Sequence, residues 1–310
     1  MKPESKQKCR FILKGLLWLG VVLLLTGCTD MLLLNPKGSI GEAERSVIYI
    51  AIALMLIVVI PVFVMTIWFA WKYRASNNNA TYRPDWSYSG KIDFFIWVIP
   101  LAIITALAIL VWVETHRLNP YEPIASSMEP IHIQAVSLDW KWLFIYPDQG
   151  IASIDELVFP VNVPLSFRIT SDTVMTSFFI PQLGSQIYAM AGMQTHLHLM
   201  ANEPGVYRGQ NQQFSGRGFS RMHFKAKAVS QKDFQNWIDQ AKNSKSSLDL
   251  ARYEKIEKPG IGFPVRYFAP VKSNLFDHII RKYNPSFASP SSSNVAYGSV
   301  RRSGSLREGN

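Results

Sequence analysis

Cysteine is nearly absent from this sequence. Of 310 residues two are cysteine, Cys9 and Cys28, both in the first tenth of the chain. Beyond residue 28 there is therefore no disulfide, no free thiol and no thiolate metal ligand. Charge is missing from two long stretches: none between Arg45 and Lys72, and none between Asp93 and Glu114. Each stretch is long enough to cross a hydrocarbon core, which excludes a wholly water-soluble chain. Apolar residues are scarce from Pro285 onward, where Ser, Pro, Gly and Arg dominate; residues 284–310 are expected to be a disordered tail.

What is present at the start is a three-part pattern. Lys2, Lys6, Lys8, Arg10 and Lys14 make a basic opening, an apolar run follows to Leu25, and "LTGC" ends it with small residues before Cys28. This is the layout of a secretory signal over residues 1–27. The tetrapeptide resembles a bacterial lipobox, so Cys28 is expected to carry lipid at the start of the mature chain.

Residues 28–45 then lead into the first span, 46–71, and a loop, 72–92, connects it to the second, 93–113. Pro61 interrupts the first span, as membrane helices tolerate. Trp68, Trp71, Tyr73, Trp97 and Trp112 stand near the ends, where amphipathic rings suit the headgroup layer. The loop carries Lys72, Arg74, Arg83 and Lys91 against Asp85 alone, so it is expected on the cytoplasmic side, with both flanks outside.

Beyond Glu114, short runs rich in Val, Ile, Phe and Tyr are bounded by Pro and Gly: "IHIQAVSLDWKWLFIYP", "ELVFPVNVPLSFRIT", "SFFIPQLG", "THLHLMA", "GVYRGQNQQFSG" and "MHFKAKAV". Residues 114–229 therefore read as an all-β sandwich. Residues 230–283 read as a helical extension. Ser230 caps a helix with Phe234, Trp237, Ile238 and Ala241 on one face; Ser273 caps another with Leu275, Phe276, Ile279 and Ile280.

The stretch "FSGRGFSRMHF", Phe214 to Phe224, combines glycines that free the backbone with a Met-His pair of copper-ligand type. His196 and His198 share a face if "THLHL" is a strand, with Met190, Met193 and Met200 nearby. Two imidazoles without a third defined ligand fall short of known copper geometries, and a strand pair of this kind is more often polar surface.

Two spans followed by a β-domain with "LDWKWLFIYP", "SFFIPQLG" and "GMQTHLHLMANEPGVY" resemble subunit II of the haem-copper terminal oxidases. The resemblance covers nearly all of residues 28–283. It implies two transmembrane helices in a hairpin, an exported cupredoxin-like sandwich and a short helical extension. In the cytochrome c oxidase branch this domain holds a two-copper centre on one histidine before an "SF" motif, then two cysteines, a histidine and a methionine in the late loop. Here Thr176 stands where the first histidine would be. Placing Phe214 and Gly218 at the cysteine positions puts Met222 at the histidine; sliding by one residue brings His223 there, but no alignment supplies cysteines. "NPKGSIG", "IVVIP", "FAWKYRASN" and "GSQIYAMAGMQT" resemble the cytochrome o type ubiquinol oxidase branch, which lacks these ligands.

The resemblance implies no cofactor and no catalytic residue in this chain, with haems and copper B in a partner subunit I that oxidises ubiquinol and reduces oxygen. Further small membrane subunits and membrane lipids are expected partners, nucleic acid is not, and the inner membrane is the expected location. Asp93 is the candidate for the mouth of a proton path, where the family usually has Glu; an ordinary helix-start carboxylate is the alternative. Trp140 is the candidate interface aromatic. After Val113 the chain has 21 basic and 16 acidic residues, a weak argument against a basic cytochrome as electron donor. From the residues alone, a free-standing envelope lipoprotein with a binding or scaffolding role remains an alternative. A copper-binding cytochrome c oxidase subunit is opposed by the missing cysteines.

Overall fold

A computed structural model describes residues 31–77, 81 and 85–287. Cys28, the expected signal and residues 288–310 of the expected tail lie outside them. The chain divides into Met1–Asn35 and Pro36–Asn310. In the first unit the described part is a short 3-10 turn, Leu32–Leu34, in which the Leu34 N–H donates to Met31 O at 2.9 Å.

The second unit opens with two long helices, α1 (Ser39–Lys72) and α2 (Gly90–Arg117), packed against each other. At 1.5 Å per residue they run about 51 and 42 Å, and both are long and apolar enough to cross a membrane. Their side chains are apolar on every face and exposed, as at Phe63, Ile67, Trp97 and Leu101, which suits helices solvated by lipid or by another protein. Pro61 and Pro100 lie within them. The hydroxyls of Thr66 and Thr105 donate back to Val62 O and Leu101 O at 2.7 and 2.8 Å, so neither is left unpaired in an apolar setting. At the end of α1, Lys72 stands 4.9 Å from the Trp68 ring and Arg74 stands 5.5 Å from Trp71.

The start of α1 is docked on the β-domain. Lys37 N–H donates to Gln182 O and Gly41 N–H to Leu183 O, at 2.6 and 3.0 Å. One Glu44 carboxylate oxygen accepts both the Ser185 N–H and its hydroxyl, at 2.8 and 3.2 Å. Gly184 has φ +107, and a Cβ there would stand 2.8 Å from Gly41 N, so this joint closes only on glycine.

Ten strands follow: β1 (Ile131–Leu138), β2 (Lys141–Tyr146), β3 (Ile151–Ile154), β4 (Glu156–Pro160), β5 (Leu165–Ser171), β6 (Thr176–Ile180), β7 (Gly184–Ala189), β8 (Thr195–Leu199), β9 (Gly205–Gln210) and β10 (His223–Val229). Helices α3 (Gln231–Lys242) and α4 (Leu250–Ile256), strand β11 (Arg266–Phe268) and helix α5 (Leu275–Tyr283) come next. One sheet has the order β11-β3-β2-β1-β5-β8 and the other β4-β10-β9-β6-β7. Pairing is antiparallel except for β1 with β5 and β4 with β10. The two sheets face each other across Trp142, Phe144, Phe167, Phe178 and Phe224. Phe178 and Phe224 stack at 5.2 Å, and Trp142 meets Phe178 edge-on at 5.3 Å. This is the cupredoxin-like sandwich expected from the sequence.

Strand β2, "KWLFIY", is buried at every residue. Trp142, Phe144 and Tyr146 face the sandwich core, while Leu143 and Ile145 face a second core under Tyr253, Ile256, Phe276, Ile279 and Ile280 of α4 and α5. The C-terminal extension thus covers the outer face of the first sheet, and it adds β11 as that sheet's edge strand. Polar ties to the buried carboxylates of Asp172 and Asp277 fix it there. Tyr253 OH donates to Asp172 at 2.5 Å, Lys282 stands 3.1 Å from the other Asp172 oxygen, and Arg168 pairs with Asp277 at 2.8 Å.

The capping of α3 follows the sequence: Ser230 accepts from Asp233 N–H, and Phe234, Trp237, Ile238 and Ala241 are buried. At α5 the cap position falls on Asn274, not Ser273. Asn274 is left-handed at φ +61 and makes no side-chain cap bond. Asn tolerates that conformation better than Ser, which explains the shift by one residue.

Candidate functional site

The site is built on the turn between β1 and β2. Leu138 pairs with Lys141, so Asp139 and Trp140 are the whole turn, and Trp140 is left-handed at φ +63. For a bulky residue that conformation costs about 1–2 kcal/mol. It is held by the indole Nε1–H, which donates to Ser215 O at 2.8 Å. The late loop then wraps the ring. A Cβ on Gly218 would lie 2.2 Å from Trp140 Cδ2, so the backbone there lies against the indole with no room for a side chain. Gly216, at φ +97, passes the ring edge, and the Arg217 guanidinium is 5.7 Å from the ring centre. The glycines of "FSGRGFSRMHF" serve a tryptophan.

Asn211 organises the rest of the loop. Its carbonyl oxygen accepts the N–H of Ser177 and of Gln213, both at 2.9 Å. Its amide donates to Gln213 O at 2.7 Å and approaches Ser215 Oγ and the Met222 sulfur at 3.2 and 3.4 Å. Thr176, at the first-histidine position, is buried and donates to Ser137 Oγ at 2.7 Å. Phe214 points outward and packs on Phe219, with ring centres 5.8 Å apart. Met222 is buried in the core; His223 is exposed at the start of β10. Asn211 and Ser177 were not identifiable from the sequence as loop organisers. The one signal was a short polar residue between a strand and a glycine-rich loop, a type that bonds its neighbours' backbone.

A two-copper centre does not fit this donor set. Shared coppers need bridging thiolates, and the corresponding positions hold a hydroxyl already bonded to another hydroxyl, an exposed phenyl ring, a glycine under an indole and a thioether engaged by an amide. Among the described residues no group of three or more His, Cys, Asp or Glu is placed to hold a metal.

His196 and His198 do share the outer face of β8, and both rings are engaged. Gln194 donates its amide to His196 Nε2 at 2.7 Å. His198 Nδ1 is 3.1 Å from Pro120 O, and its Nε2 is 3.3 Å from Ser166 Oγ. Burial lowers both pKa values, with Arg168 adding to the effect at His196, and so favours neutral rings. At the start of β2, Asp155 accepts the Trp142 N–H at 2.7 Å. Its burial pushes the carboxyl up to about 7, against the opposing effects of that bond and of Lys141.

Asp93 lies in the first turn of α2, half-buried, with its N–H donating to Ser89 O at 3.0 Å. It is far along the chain from the loop around Trp140 and forms no cluster with it.

The family pattern described as "Cytochrome C oxidase subunit II, periplasmic domain" matches residues 150–229, and "COX Aromatic Rich Motif" matches residues 242–286. The chain is 55% identical to the cytochrome bo(3) ubiquinol oxidase subunit 2 of Pseudomonas aeruginosa, over 87% of this chain and 82% of that one. It is 50% identical to the ubiquinol oxidase subunit 2 of Acetobacter aceti, over 86% and 87%. The chain belongs to the ubiquinol oxidase subunit 2 family. It is also similar to the periplasmic domain of subunit II of cytochrome oxidase of Bradyrhizobium japonicum, at 25% identity over 38% of this chain and 96% of that one, with a TM-score of 0.35.

For a ubiquinol oxidase subunit 2 the loop geometry has a direct reading. The interior of the late loop is occupied by the indole of Trp140 and the amide of Asn211. The aromatic rich motif corresponds to the extension that covers β1, β2 and β3. Relatives of this kind support the oxidase reading and not a free-standing lipoprotein.

Proposed function

We propose that this ubiquinol oxidase subunit 2 is the non-catalytic subunit of an inner-membrane, proton-translocating oxidase. A subunit II implies a subunit I, and on this reading subunit I holds the haems and copper B, oxidises ubiquinol and reduces oxygen. The carrying observation is the loop around Trp140, whose ligand positions are committed to hydrogen bonds and packing. An electron relay there would require thiolates, so quinol delivering electrons within the membrane is the consistent route. Trp140 then acts as a packing residue at the subunit interface. On this reading Asp93, at the start of α2, serves as a proton-entry carboxylate on the cytoplasmic side, and Cys28 carries lipid that adds to two helical anchors. The positive charge of the connecting loop supports that orientation.

The test is isolation of the complex from its native membrane through a tag on this chain. A haem-bearing subunit I is expected to co-purify in equal amount. Recovery of the chain alone, under conditions that keep other respiratory complexes intact, would overturn the assignment.

A further inference from the structure

We propose that a cavity in the C-terminal extension binds a small organic anion with a phosphate or carboxylate head on a planar apolar body. The cavity lies between the end of α3, helix α4 and strand β11; it is a groove open to solvent, with a volume of about 620 Å³, within the range of small-ligand sites. Arg252 and Lys255 of α4 and Arg266 of β11 line it, and among the described residues no carboxylate does. None of the three cations is ion-paired with a described residue. Elsewhere in the same domain Lys227, Arg168 and Lys282 each find a carboxylate within 3.1 Å. Like charges gathered on one concave surface repel unless an anion joins them, and guanidinium groups suit phosphate and carboxylate.

The walls are fixed before any ligand arrives. Ser244 Oγ donates to Tyr267 O at 2.7 Å, and Ala269 N–H donates to Ser246 O at 2.9 Å, tying the turn after α3 to the middle of β11 and to the residue that follows it. Phe263 supplies the apolar wall. It is held by Lys141, fully buried, whose ammonium stands 4.4 Å from the ring centre and donates to Lys258 O at 2.7 Å. The chain's own residues 288–310 have the wrong charge to fill the cavity, with Arg301, Arg302 and Arg307 against Glu308 alone. The site is independent of the redox assignment, because none of the residues lining it belongs to the late loop that wraps Trp140.

The experiment is calorimetric titration of phenyl phosphate into the intact complex in an uncharged maltoside detergent. Saturable one-to-one binding is expected, weaker for inorganic phosphate and absent for phenol. Changing Arg252, Lys255 and Arg266 together to Gln leaves the fold intact, since all three side chains are exposed. It should weaken binding by roughly tenfold or more, the scale of losing charge-assisted hydrogen bonds. No saturable binding, or equal affinity in the triple variant, would overturn the site. Inorganic phosphate binding as tightly as phenyl phosphate would overturn the apolar part. Tighter binding of dihexanoyl phosphatidylglycerol would reassign the cavity to a lipid head and overturn a soluble ligand.

Discussion

Gly218→Ala is the sharpest perturbation of the loop. Gly218 sits at φ −92, a conformation alanine adopts freely, so no backbone strain attends the change. The added methyl would lie 2.2 to 2.8 Å from three indole atoms of Trp140. Trp140 cannot rotate away without losing its bond to Ser215 O. Forced overpacking costs about 1–3 kcal/mol and the lost hydrogen bond about 1 kcal/mol. Part returns as Trp140 leaves its left-handed conformation, for a net loss near 2 kcal/mol. In a domain of this size that lowers the melting temperature by roughly 5 °C. The assay is thermal and urea unfolding of the β-domain within the intact chain, repeated with Trp140→Ala in both backgrounds. In the Trp140→Ala background the alanine at position 218 meets open space, so its cost should vanish and the coupling should be about 2 kcal/mol. An equal cost of Gly218→Ala in both backgrounds would refute the idea that the glycine exists to accommodate the indole.

Asp93→Asn should slow quinol-driven oxygen reduction at unchanged haem content, and Asp93→Glu should match wild type; equal turnover of all three enzymes would leave Asp93 a simple helix-start residue. Glu44→Ala removes the acceptor of Ser185 N–H, so hydrogen exchange at that amide should quicken by roughly tenfold or more, and unchanged protection would show the joint does not depend on it. Asp155 has a folded pKa of about 7, above the ordinary 3.8, so the folded state holds its proton more tightly than the unfolded one. Its contribution to stability is therefore highest at low pH and falls as pH rises from about 4 to about 7. Asp155→Asn keeps the acceptor for Trp142 N–H and suits the left-handed backbone, so stability curves of variant and wild type should diverge across that window; parallel curves would contradict the shift.

The sequence carries local structure and withholds structure that depends on distant segments. The face of α3 is legible because Phe234, Trp237, Ile238 and Ala241 repeat at the period of one helix. Strand β2 shows no alternation because its second face is covered by α4 and α5, more than a hundred residues later. The missing thiolates are legible by counting. What fills the loop in their place is not, because Trp140 and Gly218 meet across the fold and neither sequence neighbourhood mentions the other. The same holds for Asn211, whose value lies in reaching Ser177 on β6. The cap at Asn274 escaped because helix patterns place a boundary only to within a residue or two.

Oxygen uptake by the purified complex, driven either by ubiquinol or by reduced cytochrome c, tests the central claim most directly. Ubiquinol alone is expected to support turnover, with Trp140→Phe leaving its rate unchanged because no electron passes through the loop. Turnover on reduced cytochrome c, lost on Trp140→Phe, would contradict the account.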